Sequence, residues 1–195
     1  MRRTVTTLVA AVLALLLVGL LVFGVLQTSD DSSIDQALAR GEHPLAHDAS
    51  LPLLDGAAMR TLADFRADGY VVVNFFASWC GPCSEEAPLL NRLQRSLAGR
   101  GTIVGVAWND ATDDTRSFAR EHDIAYPVLR DVDGKFAEAY GVKGMPETFV
   151  IDPRGHIVAP LNIVVDDRGT PATGTVSLVD LESGQTSTVP VGLHP

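Results

Sequence analysis

The stretch from Val71 to Leu97 constrains this chain more than any other. Val71-Val72-Val73-Asn74-Phe75-Phe76 is an apolar, β-branched and aromatic run of strand length, suited to a buried strand. After Glu85 the period changes: Leu89, Leu90, Leu93 and Leu97 recur at helical spacing, Asn91, Arg92, Gln94 and Arg95 form a polar face, and Gly99 is a stop signal. Between strand and helix stands Trp79-Cys80-Gly81-Pro82-Cys83.

That junction has chemical consequences. A helix amino terminus carries unpaired N–H groups and the positive end of the helix dipole, and both stabilise a thiolate. Cys80 is therefore expected to be the exposed, easily ionised sulfur, with Cys83 one turn on and less accessible, ready to resolve a mixed disulfide. Pro82 suits the first turn, where its missing N–H costs nothing. The sequence holds only 2 cysteines, so no other internal disulfide exists. A bridge across a two-residue spacer constrains the unfolded chain little, which argues against a stapling role. Half a zinc site has the same spacing, and His43 and His47 are the other ligands on paper, but Pro44 interrupts that pair. We expect no metal.

Further on, Thr102–Ala107 reads as a strand, Thr112–His122 as a helix with an acidic start, and Ala125–Leu129 as a short strand. Phe136 and Tyr140 share a helical face, and Val150 and Ile151 belong to another strand. Alternating strands and helices predict an α/β sheet covered on both faces. Trp108 is expected in the core or at its rim, with no chemistry of its own. The tail is broken by Pro160, Gly169, Pro171 and Gly174; Thr175–Leu181 and Thr186–Val191 predict a β-hairpin there.

At the other end, Arg2 and Arg3 precede an uncharged apolar run from Val5 to Leu26. About twenty apolar residues rising ~1.5 Å each cross a bilayer's hydrocarbon core. The end of the run lacks an A-x-A-like cleavage site, so a retained anchor is expected, its amino terminus cytoplasmic and the remainder outside. The resulting organisation is a transmembrane signal-anchor at 1–28, an extracytoplasmic linker at 29–44 with a helical turn over Ile34–Arg40, a folded domain at 45–165, and a divergent tail at 166–195. A formal charge of −9 argues against a phosphate backbone as partner, and nucleic acid is excluded as a ligand class.

Trp79-Cys80-Gly81-Pro82-Cys83, followed by Ala87-Pro88, resembles thioredoxin. Gly141-Val142-Lys143-Gly144-Met145-Pro146-Glu147-Thr148-Phe149-Val150-Ile151-Asp152 resembles the cis-proline segment of the TlpA, ResA and CcmG (DsbE) family of membrane-anchored thiol-disulfide oxidoreductases. Leu51–Gly56 resembles that family's amino-terminal hairpin and Asn109–Gly134 its central insertion, so the likeness covers about 41–158. It implies a thioredoxin-like fold, a central mixed sheet with helices on both faces, preceded by one transmembrane helix. It further implies that Pro146 is the cis-proline and that Met145 faces the cysteines. Glu86 would then exchange protons with Cys83, and Glu147 would occupy a second acidic position. Asn74 departs from thioredoxin's buried aspartate, and an amide does not titrate, so a proton acceptor must be Glu86 or Glu147. Trp79 is expected to offer an apolar platform to a partner, and Met145 and Pro146 to line the substrate site.

The resemblance implies protein disulfides as substrates, apocytochrome c among them. It also implies a membrane electron donor of the CcdA/DsbD kind, no cofactor, and a periplasmic or equivalent location. Two alternatives stay open at this level: a general disulfide oxidase or isomerase, using the same cysteines in the opposite direction, and a non-catalytic redox-sensing binding module. A peroxidase fits poorly, because Ala77 stands where a threonine three residues before Cys80 is expected.

Overall fold

The structure, a computed structural model, describes residues 16, 18, 19, 33–97, 99–160, 175–179 and 186–190. The apolar run Val5–Leu26 lies outside the described residues, except for Leu16, Val18 and Gly19, which are helical. Among the described residues no helix is long and apolar enough to cross a membrane. The chain divides between Ser32 and Ser33, and the sheet lies in the second unit.

In chain order the elements are α1 (Ser33–Ala39), the antiparallel pair β1 (Leu51–Pro52) and β2 (Met59–Arg60), a 3-10 helix (Leu62–Asp68) and β3 (Tyr70–Phe76). There follow α2 (Gly81–Leu97), β4 (Gly101–Trp108), α3 (Thr112–Glu121), β5 (Val128–Asp131), α4 (Lys135–Ala139), β6 (Glu147–Ile151), β7 (Ile157–Pro160) and a separate hairpin of β8 (Thr175–Val179) and β9 (Thr186–Pro190). The main sheet runs β5-β4-β3-β6-β7. Its β5, β4 and β3 are parallel, while β6 pairs antiparallel with β3 and β7 antiparallel with β6, which makes the sheet mixed.

Alternation along β3 sorts its side chains between two layers. Val71, Val73 and Phe75 face one side, where Phe136 and Ala137 of α4, Tyr140, Leu62 and Ile34 of α1 complete the core. Val72 faces Leu90, Leu93 and Leu97 of α2, and Phe76 packs with Cys80, Cys83, Ala87 and Phe118 of α3. The leucine stripe of α2 thus closes the sheet face opposite α4, and every one of its members is nearly inaccessible. Burying a leucine of this kind contributes roughly 1.5–3 kcal/mol.

The helical turn expected over Ile34–Arg40 is found at Ser33–Ala39, where Ile34 and Ala37 are buried and Leu38 packs on the core. An apolar pair spaced one helical turn apart on a short polar helix is held by the core rather than left in solvent. The strand expected at Ala125–Leu129 is found at Val128–Asp131. Pro127 has no N–H to donate, and its carbonyl instead accepts from Gly105, so the ladder starts one residue later. The tail hairpin occupies Thr175–Val179 and Thr186–Pro190, within the expected segments, with Ser177 opposite Thr188.

Candidate active site

Cys80 immediately precedes the first residue of α2, and Cys83 is the third residue within it. The two are joined by a disulfide, their Cα atoms 5.3 Å apart. The backbone N–H of Cys83 donates to Cys80 Sγ at 3.2 Å, so the sulfur takes the part that a serine or threonine oxygen plays at an ordinary helix start. A donor already aimed at this sulfur favours its thiolate after reduction. The expected contrast in exposure is small in this oxidised state: Cys80 is 6% and Cys83 3% accessible. The nucleophile is not openly exposed in this state.

One helical turn beyond Cys83, Glu86 points into the protein and is 5% accessible. Asn74, on the α2-facing side of β3, donates from Nδ2 to Glu86 Oε2 at 3.3 Å and to Thr148 Oγ1 of β6 at 3.0 Å. Burial pushes the Glu86 carboxyl up to about 7, against the smaller opposing effect of the Asn74 hydrogen bond. Tyr126 is buried in the same layer, and its hydroxyl is raised above its usual range by burial and by the Glu86 charge. A carboxyl that loses its proton near neutrality can take one from a thiol or return it.

The Met145–Pro146 peptide bond is cis. Met145 is partly buried and packs against the cluster that contains Cys80 and Cys83. Glu147 opens β6 opposite Phe75 and is half-buried. Its carboxyl is raised by burial first and by the charge of Asp35 in α1 second, with Lys143 working in the opposite direction. The fold therefore brings Met145 to the two cysteines from a segment far away in sequence, while Glu86 stands on the same helix as Cys83. His43 and His47 are placed by other contacts: His43 Nδ1 lies 3.4 Å from the Ile157 carbonyl, and the His47 ring packs against Phe136.

Trp79 is 64% accessible, and its ring lies 6.5 Å from that of Trp108, which sits at the rim of the core. Two residues beyond Trp108, Asp110 accepts from both the backbone N–H and the hydroxyl of Ser78, each at 2.8 Å. Sequence reading missed Asp110, and it missed Thr148 as the second partner of Asn74. Neither has a local signal, although an acidic residue directly before the acidic start of α3 was visible.

A family model described as the AhpC/TSA family matches residues 44–159. The thiol:disulfide interchange protein HelX of Rhodobacter capsulatus is 37% identical over 134 residues, which cover 68% of this chain and 73% of HelX. A thiol:disulfide interchange protein DsbE homolog of Paracoccus denitrificans is 35% identical over 130 residues, covering 66% of this chain and 69% of that protein. Among solved structures, a thiol:disulfide interchange protein from Bacteroides sp. superposes with a TM-score of 0.55 at 26% identity, covering 60% of this chain and 79% of the other. Together with a disulfide at a helix start, these likenesses place the chain in the AhpC/TSA family, as a thioredoxin-like thiol-disulfide oxidoreductase of the TlpA/ResA/CcmG kind.

Proposed function

We propose that this oxidoreductase is an anchored, extracytoplasmic reductase of protein disulfides, acting on apocytochrome c before haem attachment. The observation that carries the reading is the buried Glu86, one turn beyond Cys83, whose carboxyl burial pushes up to about 7. The Gly-Pro spacer supports the direction, since thioredoxin, which has the same spacer, has a potential of about −270 mV against about −120 mV for the oxidant DsbA. The names of HelX and of the DsbE homolog support the class of partner.

In the reduced enzyme the Cys80 thiolate attacks one sulfur of the substrate disulfide. A Cys80–substrate bond forms, the substrate bond breaks, and the first substrate sulfur leaves as a thiolate that takes up a proton. Glu86 then accepts the proton of Cys83, whose thiolate attacks Cys80 and restores the 80–83 bridge. The second substrate sulfur departs and is protonated, so the substrate gains two electrons and two protons. A membrane dithiol donor of the CcdA/DsbD kind returns the enzyme to its reduced form. Glu147 holds a second carboxyl at the edge of the site, and Trp79, Met145 and Pro146 receive the substrate chain by strand addition.

Replacing Cys83 with Ala leaves Cys80 to hold its partner covalently. Capture of a C-x-x-C-H protein from the intact cell supports the reading. A potential above about −150 mV would move it to the oxidase, given the spread of reference proteins. Protease added to spheroplasts, whose cytoplasmic membrane is intact, should digest the domain, as the proposed anchor at 1–28 requires.

A further inference from the structure

We propose that Asp110 is a positioning residue for the redox centre, holding Ser78 and Trp79 so that a protein substrate meets Cys80 against a fixed tryptophan wall. The inference rests on the reading that the substrates are proteins. Asp110 is an unusual neighbour for the catalytic loop, because it belongs to the turn between β4 and α3, 32 residues from Ser78. Its two carboxylate oxygens divide the work: Oδ2 accepts the Ser78 N–H and Oδ1 accepts the Ser78 hydroxyl, each at 2.8 Å. The Thr115 hydroxyl, fully buried in α3, donates to Oδ2 at 2.9 Å and keeps the carboxylate aimed at the loop. Asn109 takes a left-handed φ of 47°, which turns the chain sharply at the end of β4.

A second link runs parallel to the first. Trp108 lies two residues before Asp110, Trp79 one residue after Ser78, and the two rings approach to 6.5 Å. Trp108 is itself backed by the next turn, since a Cβ on Gly134 would stand 2.8 Å from its Nε1. The β4–α3 turn thus grips the residues ahead of Cys80 at two adjacent points. Trp79 remains 64% accessible, so the brace holds an exposed ring in a single place rather than burying it. Charge-assisted hydrogen bonds of this length are about twice as strong as neutral ones, which suits a clamp on a surface loop.

The 2 tryptophans of the chain are the pair at this brace, so intrinsic fluorescence reads it directly. In the full chain, Asp110→Ala should shift the emission of the folded protein. It should also lower kcat/KM for reduction of insulin, a protein disulfide, by about tenfold, because a small misplacement of a contact surface is costly. The rate with a small linear disulfide, oxidised glutathione, should stay within about twofold, since that molecule needs no wall. Asp110→Asn, which keeps one acceptor, should fall between. Ser78→Ala should act in the same direction and less than additively with Asp110→Ala. Thr115→Val, which removes the hydroxyl that aims the carboxylate, should act in the same direction as Asp110→Ala and less strongly.

An equal loss with both disulfides, or unchanged insulin kinetics and emission despite a lower melting temperature, would overturn the assignment. Should the unaltered chain reduce neither insulin nor a disulfide-bonded C-x-x-C-H peptide, the protein-substrate reading falls on its own. The emission comparison would still decide whether Asp110 sets Trp79.

Discussion

The Asn74 amide nitrogen lies 3.3 Å from the Glu86 carboxyl oxygen, across the interface between β3 and α2. An amide at this position neither titrates nor brings a compensating charge, so the ionisation of Glu86 is governed by burial, with a single neutral donor to ease it. The same amide also donates to Thr148, which ties the acid to β6, the strand that follows Pro146.

Replacing Glu86 with Gln should alter stability in a pH-dependent way. The carboxyl is raised from its ordinary 4.5 to about 7, so its folded form binds a proton more tightly than its unfolded form. Folding then bears no penalty below about pH 4.5 and the full penalty above about pH 7. At about 1.4 kcal/mol per pH unit, the variant should be more stable than the unaltered oxidised protein by about 3 kcal/mol at pH 8 and nearly equal to it at pH 4. Urea titrations at the two pH values check this; a difference that does not grow with pH contradicts the burial assigned to Glu86.

Asn74→Leu should shift the pH dependence of disulfide exchange upward. Removing the one donor to Glu86 leaves desolvation unopposed, and the carboxyl gives up its proton at a higher pH. Single-turnover release of a substrate from its mixed disulfide with Cys80, followed from pH 5 to pH 9, measures the shift. A profile that moves to lower pH would contradict it.

Asp131 should prove a structural acid and no more. It is fully buried at the end of β5 and accepts from the N–H groups of Phe136 at 3.2 Å and Ala137 at 2.8 Å, which belong to the first turn of α4. Asp131→Ala leaves two donors without partners, at about 1–3 kcal/mol for each buried group. Denaturant unfolding should show the loss, and the exchange rate per folded molecule should be unchanged.

Gly134→Ala tests the seat of Trp108 from its far side. Gly134 has a φ of 73°, which disfavours a side chain, and its added Cβ meets the indole nitrogen at 2.8 Å. A loss of about 1–3 kcal/mol should be accompanied by altered tryptophan emission. Emission identical to that of the unaltered protein would mean that the ring does not rest on this turn.

Much of the frame could be read from local pattern. The alternation in Val71–Phe76 and the leucine spacing in α2 set the two faces of β3 and the one face of α2 that must be buried, and the cysteines follow from their place between those elements. The boundaries that misled have local causes of a different kind. Pro127 delays β5 by withholding a donor, and Ile34 and Ala37 draw a polar segment into the core that composition alone marks as a linker.

What the order of residues determined by itself is the strand, the helix and the disulfide between them, because periods of two and of about 3.6 and the needs of a helix start act between near neighbours. What only the tertiary structure decided is which groups meet that disulfide. The partners Asn74 and Thr148, Ser78 and Asp110, Met145 and the cysteines lie in separate segments, joined by the register of β3 with β6 and by the turn after β4. Side-chain hydrogen bonds of that kind depend on which strands become neighbours, and no repeat along the chain encodes it.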